Sequence, residues 1–515
     1  MSEHYPDDHD GTDVTTELQQ QPHLLIQLAE NALTVAESLR GNYFRNTARF
    51  IGDLRRAIAR DLSKPPEQRL LDVHSVADAS WSDVHGEVVT FIDGGIGQVR
   101  ISGQVPILLR VGSYSVRTGE RRLAQREQFG YYPVLLGDLE GGSKERKDFV
   151  DIVRITAELL ACLSALQRTP DLRVLMLHGP LVYQVGAYSG HTPFTEADID
   201  RLLHHYAASE EVGRQLKADF LELARRELYP AMLRSAAATW IERRYFEPLA
   251  WMAFLFRRLV DLARSRDAVP VVAGVVERGM MRDFCERVLL ARVFERLRRN
   301  GRLDYLHDVY GRTDLTSPRG VLDRLGYTDG LLLGILLRPG QYSEPWEIEK
   351  YDGLRHAEAT LPHSDQTVRV NYEPLRPGRS LCSFPRVHGC YVAVTETMEP
   401  LRVELFHALG AAQVEAAARR VYLYARLLPG YAFPVGLDIV DRYAHVPAWL
   451  TEAYGKLIRY HLGTSLQTGE ITDAELRRIL VQAIYMTQRD WLFRPALNRI
   501  GARHSPDTRR YQPDE

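Results

Sequence analysis

Two rhythms of hydrophobic and polar positions run along this chain. Near the N terminus apolar residues recur every three or four positions, from Leu24 to Leu39 and again from Phe50 to Leu62, which predicts two helices. We expect a break between them near Gly41-Asn42 and a stop at Pro65-Pro66. These helices either pack on the rest of the protein or form a docking surface for a partner, and we expect packing.

The next segment has the composition of β-strands. Residues 87–93 are β-branched and aromatic, and they lead into the turn-like pair Gly94-Gly95. Two more strands are expected at 98–102 and 106–116. Together the three strands predict an antiparallel meander, with Asp93 at the end of its first strand.

Helices and buried strands alternate after the meander, which predicts an α/β fold. A helix over 148–167 carries Glu158 as a candidate inward polar residue, and a short strand over 173–177 ends at His178. A mainly helical stretch runs from about 195 to 265, and another buried strand covers 269–276. Later strands are expected at 367–372, 391–396 and 401–406, and later helices at 411–428, 434–443 and 473–491.

Composition excludes several classes of protein. The chain has 515 residues, of which 45% are hydrophobic and 26% charged, so it is neither wholly disordered nor fibrous. Its apolar runs are shorter than the roughly 20 residues that span a bilayer, and its first residues are acidic and polar. The four cysteines form no CxxC pair. We therefore expect a cytoplasmic protein that has no membrane partner, and the net charge of −2 supplies no overall basic field for nucleic acid.

Three polar residues are candidates for one site. Asp93 and His178 each end a predicted strand, and Glu158 lies on the helix that immediately precedes the second of these strands. Neighbouring strands of one sheet are about 5 Å apart, so the three side chains can converge. Clustered carboxylates at strand ends can hold divalent cations, which stabilise the attacking and leaving oxygens of a phosphodiester. An aspartate after a strand also commonly caps a turn, so the metal interpretation depends on the whole set.

Five arginines accompany the predicted meander. If they share one face of the sheet they are candidate DNA-phosphate contacts, and otherwise they belong to a solvated face with cross-strand ion pairs. They are Arg100, Arg110, Arg117, Arg121 and Arg122.

Five motifs in order resemble those of the NurA nucleases, over about Val84 to Ala448. They are Phe91-Ile-Asp93-Gly-Gly, Val174-Leu-Met-Leu-His178-Gly-Pro-Leu181, Val271-Val-Ala-Gly-Val-Val276, Pro400-Leu-Arg-Val-Glu-Leu-Phe406, and Gly430-Tyr-Ala-Phe-Pro434 continuing to Asp441. The resemblance implies an RNase-H-like mixed sheet with an N-terminal helical segment and helical insertions. It also implies a manganese-dependent DNA nuclease, typically a homodimer, that docks on a hexameric HerA-type ATPase. Such pairs process DNA ends for repair or act in anti-phage defence.

The sequence pattern and the resemblance together divide the chain. A disordered lead-in is expected over 1–20, a helical segment over 21–80 and the nuclease domain over 81–448. The helical insertion near 195–265 falls inside that domain. Further helices and a tail follow over 449–515.

The resemblance gives roles to single residues. Asp93 matches the family's first metal-binding aspartate, and Glu158 matches its glutamate in kind and in distance from the next strand. Asp441 falls where the family has a late His or Asp ligand. His178 stands in place of a ligand aspartate, and Phe433 stands in place of a tyrosine.

The departures from the family pattern leave alternatives open. The imidazole of His178 suits manganese or zinc better than magnesium. Glu277 stands where a lysine is expected, and an anion there would repel the DNA backbone. Asp198 or Asp200 could replace the missing ligand, although both also fit as acidic residues at a helix N terminus. The chain is thus an active Mn²⁺ nuclease, a degenerate subunit that binds DNA and regulates the motor, or another α/β hydrolase of nucleotides.

Overall fold

The structure is a computed structural model, and its described residues carry all the statements that follow. These are residues 22–99, 106–120, 127–135, 143–181, 196–223, 248–310, 315–348, 356–360, 367–371, 384–468 and 471–481. The expected lead-in over 1–20 lies outside them, as does most of the expected tail.

Helices cover both ends of the described chain and fill the gaps between strands. They are α1 (Pro22–Ser38), α2 (Arg45–Asp61), α3 (Ser143–Arg168), α4 (Glu196–Tyr206), α5 (Glu210–Leu223), α6 (Pro248–Arg264), α7 (Ala291–Arg299), α8 (Tyr305–Tyr310), α9 (Pro318–Leu325), α10 (Asp329–Leu336), α11 (Ala412–Ala425), α12 (Val435–Ala444), α13 (Ala448–Gln467) and α14 (Ala474–Val481). Two π-helical segments, Leu39–Phe44 and Cys285–Leu290, precede α2 and α7.

The strands form one large mixed sheet and a separate hairpin. They are β1 (Val73–Ser75), β2 (Val88–Gln98), β3 (Pro106–Arg117), β4 (Glu127–Leu135), β5 (Leu172–His178), β6 (Val271–Val276), β7 (Gln341–Ser343), β8 (Trp346–Glu347), β9 (His356–Thr360), β10 (Thr367–Asn371), β11 (Val387–Val392) and β12 (Leu401–Phe406). The large sheet has the order β1-β7-β11-β12-β6-β5-β2-β3-β4, with β8 paired to β11, and β9 pairs with β10.

The centre of the sheet confirms the predicted fold class. Strands β2, β3 and β4 form an antiparallel meander, and β5 and β6 then pair in parallel with β2 and with each other. Beginning from β2, this is the meander-then-parallel arrangement expected of an RNase-H-like sheet. The carboxyl ends of β2, β5 and β6 therefore meet at one edge, which we call the active edge.

Helices cover the sheet on both faces. On one face α11 and α12 pack on a core that includes Phe91, Met176, Val275 and Val403. On the other face α3 lies against β2 and packs on α6. The burial of strand residues on both faces explains why β5 and β6 have continuous apolar sequences.

The meander differs from its prediction in two places. Strand β2 continues through Asp93 and the glycines to Gln98, so Asp93 lies within the strand and a turn at Gly94-Gly95 was the wrong prediction. Gln98, the first residue of the predicted strand 98–102, is the last residue of β2, and residues 100–102 lie outside the described residues. The third strand of the observed meander is β4, which the sequence pattern did not indicate. Asp93 still follows Ile92, the last residue of β2 that pairs with β5, so it lies at the active edge.

The N-terminal helices also differ from expectation. The helical backbone passes through Gly41 in the π-helical segment, so the predicted break is wrong, whereas the stop before Pro65-Pro66 is confirmed. Phe50 and Leu54 of α2 are buried, but α1 exposes much of its apolar face.

The chain divides into two compact units. One contains residues 51–98 and 106–448, with the whole of the large sheet, and the other contains 1–50, 99–105 and 449–515. Among the described residues, no helix combines the length and the hydropathy that crossing a bilayer requires.

Candidate metal centre

Asp93 and His178 meet at the active edge. Each follows a core residue by two positions in its strand, Phe91 in β2 and Met176 in β5, so both point to the face that α11 and α12 cover. His178 Nδ1 lies 3.1 Å from Oδ2 of Asp93. The other oxygen, Oδ1, accepts a hydrogen bond from the backbone N–H of Gly94 at 2.8 Å.

Asp441 joins this pair from helix α12. Its Oδ1 lies 3.8 Å from His178 Nδ1, and its side chain is 55% exposed. Glycines let α12 approach the strands closely, because a Cβ at Gly95 would be 2.1 Å from the carbonyl oxygen of Ala444. Asp93, His178 and Asp441 each offer a ligand atom within 4.8 Å of the other two. Among the described residues, they form the one group of three or more possible metal ligands, and the sequence analysis had predicted all three as site residues.

Glu158 reaches the same edge from the opposite face of the sheet. It lies on α3, and its Oε1 is 2.6 Å from the position that a Cβ on Gly94 would take. The residue is 2% exposed, and its Oε1 accepts a hydrogen bond from Nη1 of Arg154 at 2.5 Å. The structure thus brings all four predicted site residues together, although Glu158 stands outside the three-residue group.

Burial and the mutual proximity of the charged groups shift the pKa values of the centre. Burial raises the pKa of Glu158 to about 7; Arg154 opposes this shift and Asp93 adds to it. Burial and the neighbouring Asp93 also raise the pKa of Asp441. Burial alone would lower the pKa of His178, but its hydrogen bond to Asp93 and the surrounding carboxylates raise it.

The donor set fits a divalent cation. Carboxylate oxygens are ligands for hard divalent cations, and an imidazole nitrogen is a ligand for first-row transition metals. Burial and the neighbouring Asp93 raise the pKa values of Glu158 and Asp441, and a bound cation would favour the ionised form of both. Asp93, His178 and Asp441 would hold it, with Glu158 beside them.

The suggested replacement ligands lie elsewhere. Asp198, in the first turn of α4, is 3.9 Å from Arg201, and Asp200 binds Lys217 at 2.7 Å. Neither joins the group at the active edge. Glu277 directly follows β6, and its carboxylate lies 3.7 Å from Arg278.

Two of the five predicted DNA-binding arginines lie in the described part of the chain. Arg110 and Arg117 are seven positions apart in the regularly paired β3, so they point to opposite faces. Arg110 lies opposite Gly95, two residues past Asp93, and Arg117 forms an ion pair with Asp171 at the other end of β2. Arg100, Arg121 and Arg122 lie outside the described residues.

Phe433 packs against the candidate ligand His178. The two ring centroids are 5.4 Å apart, and Phe433 is 4% exposed. The preceding Ala432 has a φ of 58°, a left-handed conformation that residues with a Cβ seldom adopt. This turn places an aromatic ring at the position where the resemblance implies a tyrosine hydroxyl.

The chain is thus a mixed α/β protein with a cluster of carboxylate and histidine side chains at the ends of its parallel strands. Residues 87–446 match the NurA domain, so the chain belongs to the NurA family. This range contains Asp93, Glu158, His178 and Asp441. No curated protein matches the chain.

Solved NurA structures resemble the chain weakly. The NurA nuclease from Sulfolobus solfataricus has a TM-score of 0.38 and 12% identity, over 76% of this chain and 92% of that one. A NurA structure with manganese has a TM-score of 0.38 and 12% identity, over 80% and 96%. A NurA structure bound to dAMP and manganese has a TM-score of 0.36 and 10% identity, over 82% and 92%.

Proposed function

We propose that this chain is a metal-dependent DNA nuclease that hydrolyses phosphodiesters at DNA ends or in single strands. The observation that carries the proposal is the convergence of Asp93, His178 and Asp441 at one sheet edge, with ligand atoms within 4.8 Å of each other. Membership of the NurA family supports the same chemistry.

The residues have distinct tasks in this proposal. Asp93 and Asp441 would hold the cation, and His178 would add a nitrogen ligand. Asp93 and Phe433 contact the imidazole of His178 and fix its orientation. Glu158 approaches from the opposite face of the sheet and would be the fourth side chain of the site. The bound cation supplies Lewis-acid stabilisation of the charge that develops on the phosphate oxygens.

We infer that the physiological cation is Mn²⁺ rather than Mg²⁺. Magnesium prefers an all-oxygen octahedral shell, whereas manganese accepts imidazole nitrogen together with carboxylate oxygen. The replacement of an expected aspartate by His178 therefore favours Mn²⁺.

The biological setting follows from the family resemblance alone. We propose that the protein works in the cytoplasm as a homodimer on a HerA-like hexameric DNA translocase. DNA that the motor feeds into the site would be degraded during end processing, repair or defence against phage.

A second candidate is a subunit that binds DNA and regulates the motor without cleaving. Glu277 favours it, because an anion next to the active edge repels a phosphate backbone where the family has a cation. This alternative predicts motor binding and salt-sensitive DNA binding, with no cleavage.

Digestion of DNA separates the two candidates. Linear duplex and single-stranded DNA are incubated with the protein and Mn²⁺, with and without the motor, beside Asp93→Ala and a chelator control. The nuclease proposal expects cleavage that Asp93→Ala and chelation remove. Intact DNA under all conditions would exclude it in favour of the regulatory subunit.

A further inference from the structure

The carboxylate of Glu158 has one charged partner at hydrogen-bond distance in the described structure, Arg154. The two residues are one helical turn apart on α3, and Nη1 of Arg154 is 2.5 Å from Oε1 of Glu158. Their side chains are 16% and 3% exposed, so this is a largely desolvated ion pair. Surface ion pairs contribute little, but a desolvated charge depends strongly on its partner.

Gly94 defines the other side of the carboxylate. With no Cβ at 94, Oε1 and Cγ of Glu158 approach to 2.6 and 2.8 Å of the position that atom would take. The Glu158 carboxylate is thus confined between the backbone of β2 and the guanidinium of Arg154. Oε1 of Glu158 accepts the hydrogen bond from Arg154 and is also the atom nearest to the empty Cβ position of Gly94.

The position of Arg154 along α3 places it toward the active edge. Three residues connect the end of α3 to the start of β5, so the helix and the strand run in opposite directions. Lower-numbered residues of α3 therefore lie nearer the carboxyl end of β5. Arg154 therefore lies one turn nearer this edge than Glu158. It flanks the acidic centre as a partly buried cation.

Other cations near the centre are directed elsewhere. Arg278 and Arg442 have side chains that are 73% and 77% exposed, and they pair with Glu277 and Asp438. The expected lysine after β6 is replaced by Glu277. Arg154 is the arginine whose guanidinium binds the Glu158 carboxylate, whereas the imidazole of His178 lies against Asp93 and Asp441.

We propose that Arg154 is a positioning residue for the metal centre, which holds the Glu158 carboxylate beside Asp93 and supplies the positive charge that position 277 lacks. This inference rests on the proposed metal-dependent function. Groups that orient a metal ligand typically change metal affinity or activity by about 10- to 100-fold when they are removed.

Calorimetric titration of Mn²⁺ into the full chain tests this role. We expect Arg154→Gln to weaken Mn²⁺ binding about tenfold or more, and Arg154→Lys to recover most of the affinity because it keeps a charged donor. Arg299→Gln is the matched control, since Arg299 pairs with Glu295 at the same helical spacing on the remote α7 and its side chain is 74% exposed. We expect the Mn²⁺ affinity of the Arg299→Gln variant to equal that of the unmodified protein.

Thermal melting without metal shows which variants fold. If Arg154→Gln does not fold, Arg154→Met keeps the aliphatic stem and takes its place. Unmodified Mn²⁺ affinity in either folded variant would overturn the proposal, as would a failure of Arg154→Lys to bind more tightly than the uncharged variant.

Parallel DNA digestion separates this inference from the nuclease proposal. If Arg154→Gln weakens Mn²⁺ binding but even the unmodified protein leaves DNA intact, the nuclease proposal fails and the positioning role stands. If the unmodified protein cleaves and Arg154→Gln binds Mn²⁺ and cleaves equally well, the positioning role fails alone.

Discussion

The Glu158 carboxylate occupies the space that a side chain at Gly94 would fill. Its Oε1 is 2.6 Å from the ideal Cβ position of Gly94, closer than any carbon and oxygen in ordinary contact. The glycine lets an acid from α3 reach the backbone of β2 beside Asp93. This relationship assigns a physical role to the first glycine of the Asp93-Gly94-Gly95 motif.

Replacement of Gly94 by alanine should therefore displace Glu158. We expect Gly94→Ala to weaken Mn²⁺ binding and DNA cleavage about tenfold or more, because the carboxylate must leave its place beside Asp93. Calorimetry and a cleavage assay measure the two effects. Gly463→Ala is the control, since a Cβ there meets nothing within 4 Å. Unchanged Mn²⁺ affinity in Gly94→Ala would show that Glu158 plays no part in the centre.

Substitution of the histidine ligand should change the metal preference. We expect His178→Asp to raise the ratio of Mg²⁺-supported to Mn²⁺-supported cleavage several-fold, because it replaces nitrogen with the oxygen that magnesium prefers. Cleavage rates in the two metals give the ratio. His204→Asp, on the remote helix α4, controls for the added negative charge. An unchanged ratio would argue that His178 does not contact the cation.

Asp61 links α2 to the main core and should make stability depend on pH. Burial would raise its pKa, but hydrogen bonds from Arg296, Lys64 and the backbone N–H of Leu70 lower it below the ordinary value of 3.8. A lowered folded-state pKa stabilises the protein above pH 3.8, and this contribution is lost as the pH falls through the folded-state value.

The corresponding variant is Asp61→Asn. We expect it to lower the free energy of unfolding by about 3 kcal/mol at pH 7, with the difference from the unmodified protein shrinking at pH 3. Urea denaturation at the two pH values provides the measurement. Asp261→Asn, in an exposed helical pair with Arg257, should cost less than about 1 kcal/mol. An equal loss at both pH values would contradict the ionic role of Asp61.

The two described arginines of β3 should contribute unequally to DNA binding. Arg110 lies on the face of Asp93 and near the active edge, whereas Arg117 forms an ion pair with Asp171 at the far end of β2. We expect Arg110→Gln to reduce the slope of log affinity against log salt by about 0.7–0.9, and Arg117→Gln to change it little. Anisotropy titrations with a single-stranded oligonucleotide at several salt concentrations measure both. Equal slopes in the two variants would remove Arg110 from the proposed DNA path.

The elements that the sequence predicted well are those with strong internal patterns. Strands β5, β6 and β12 lie close to their predicted bounds, and the apolar runs of β5 and β6 reflect burial on both faces of the sheet. The motifs around Asp93 and His178 also located the active edge. Parallel pairing then brings their side chains together without any further information.

The parts that the sequence did not predict depend on long-range packing. The glycines after Asp93 indicate a turn by local preference, but pairing with β3 keeps them in an extended strand. The i, i+4 spacing of Arg154 and Glu158 was visible, yet such pairs are common on helix surfaces. The Arg154–Glu158 pair differs from those because it is buried against β2, and residue spacing along a helix does not reveal burial.

The two-sided construction of the centre has a consequence for the protein's synthesis. Asp441 comes from a late helix on one face of the sheet and Glu158 from an earlier helix on the other. A nascent chain whose α12 has not yet emerged from the ribosome lacks Asp441, one of the proposed metal ligands. If the centre cleaves DNA, its full set of proposed ligands assembles only once both helical layers cover the sheet, so cleavage is expected only from the complete, folded chain.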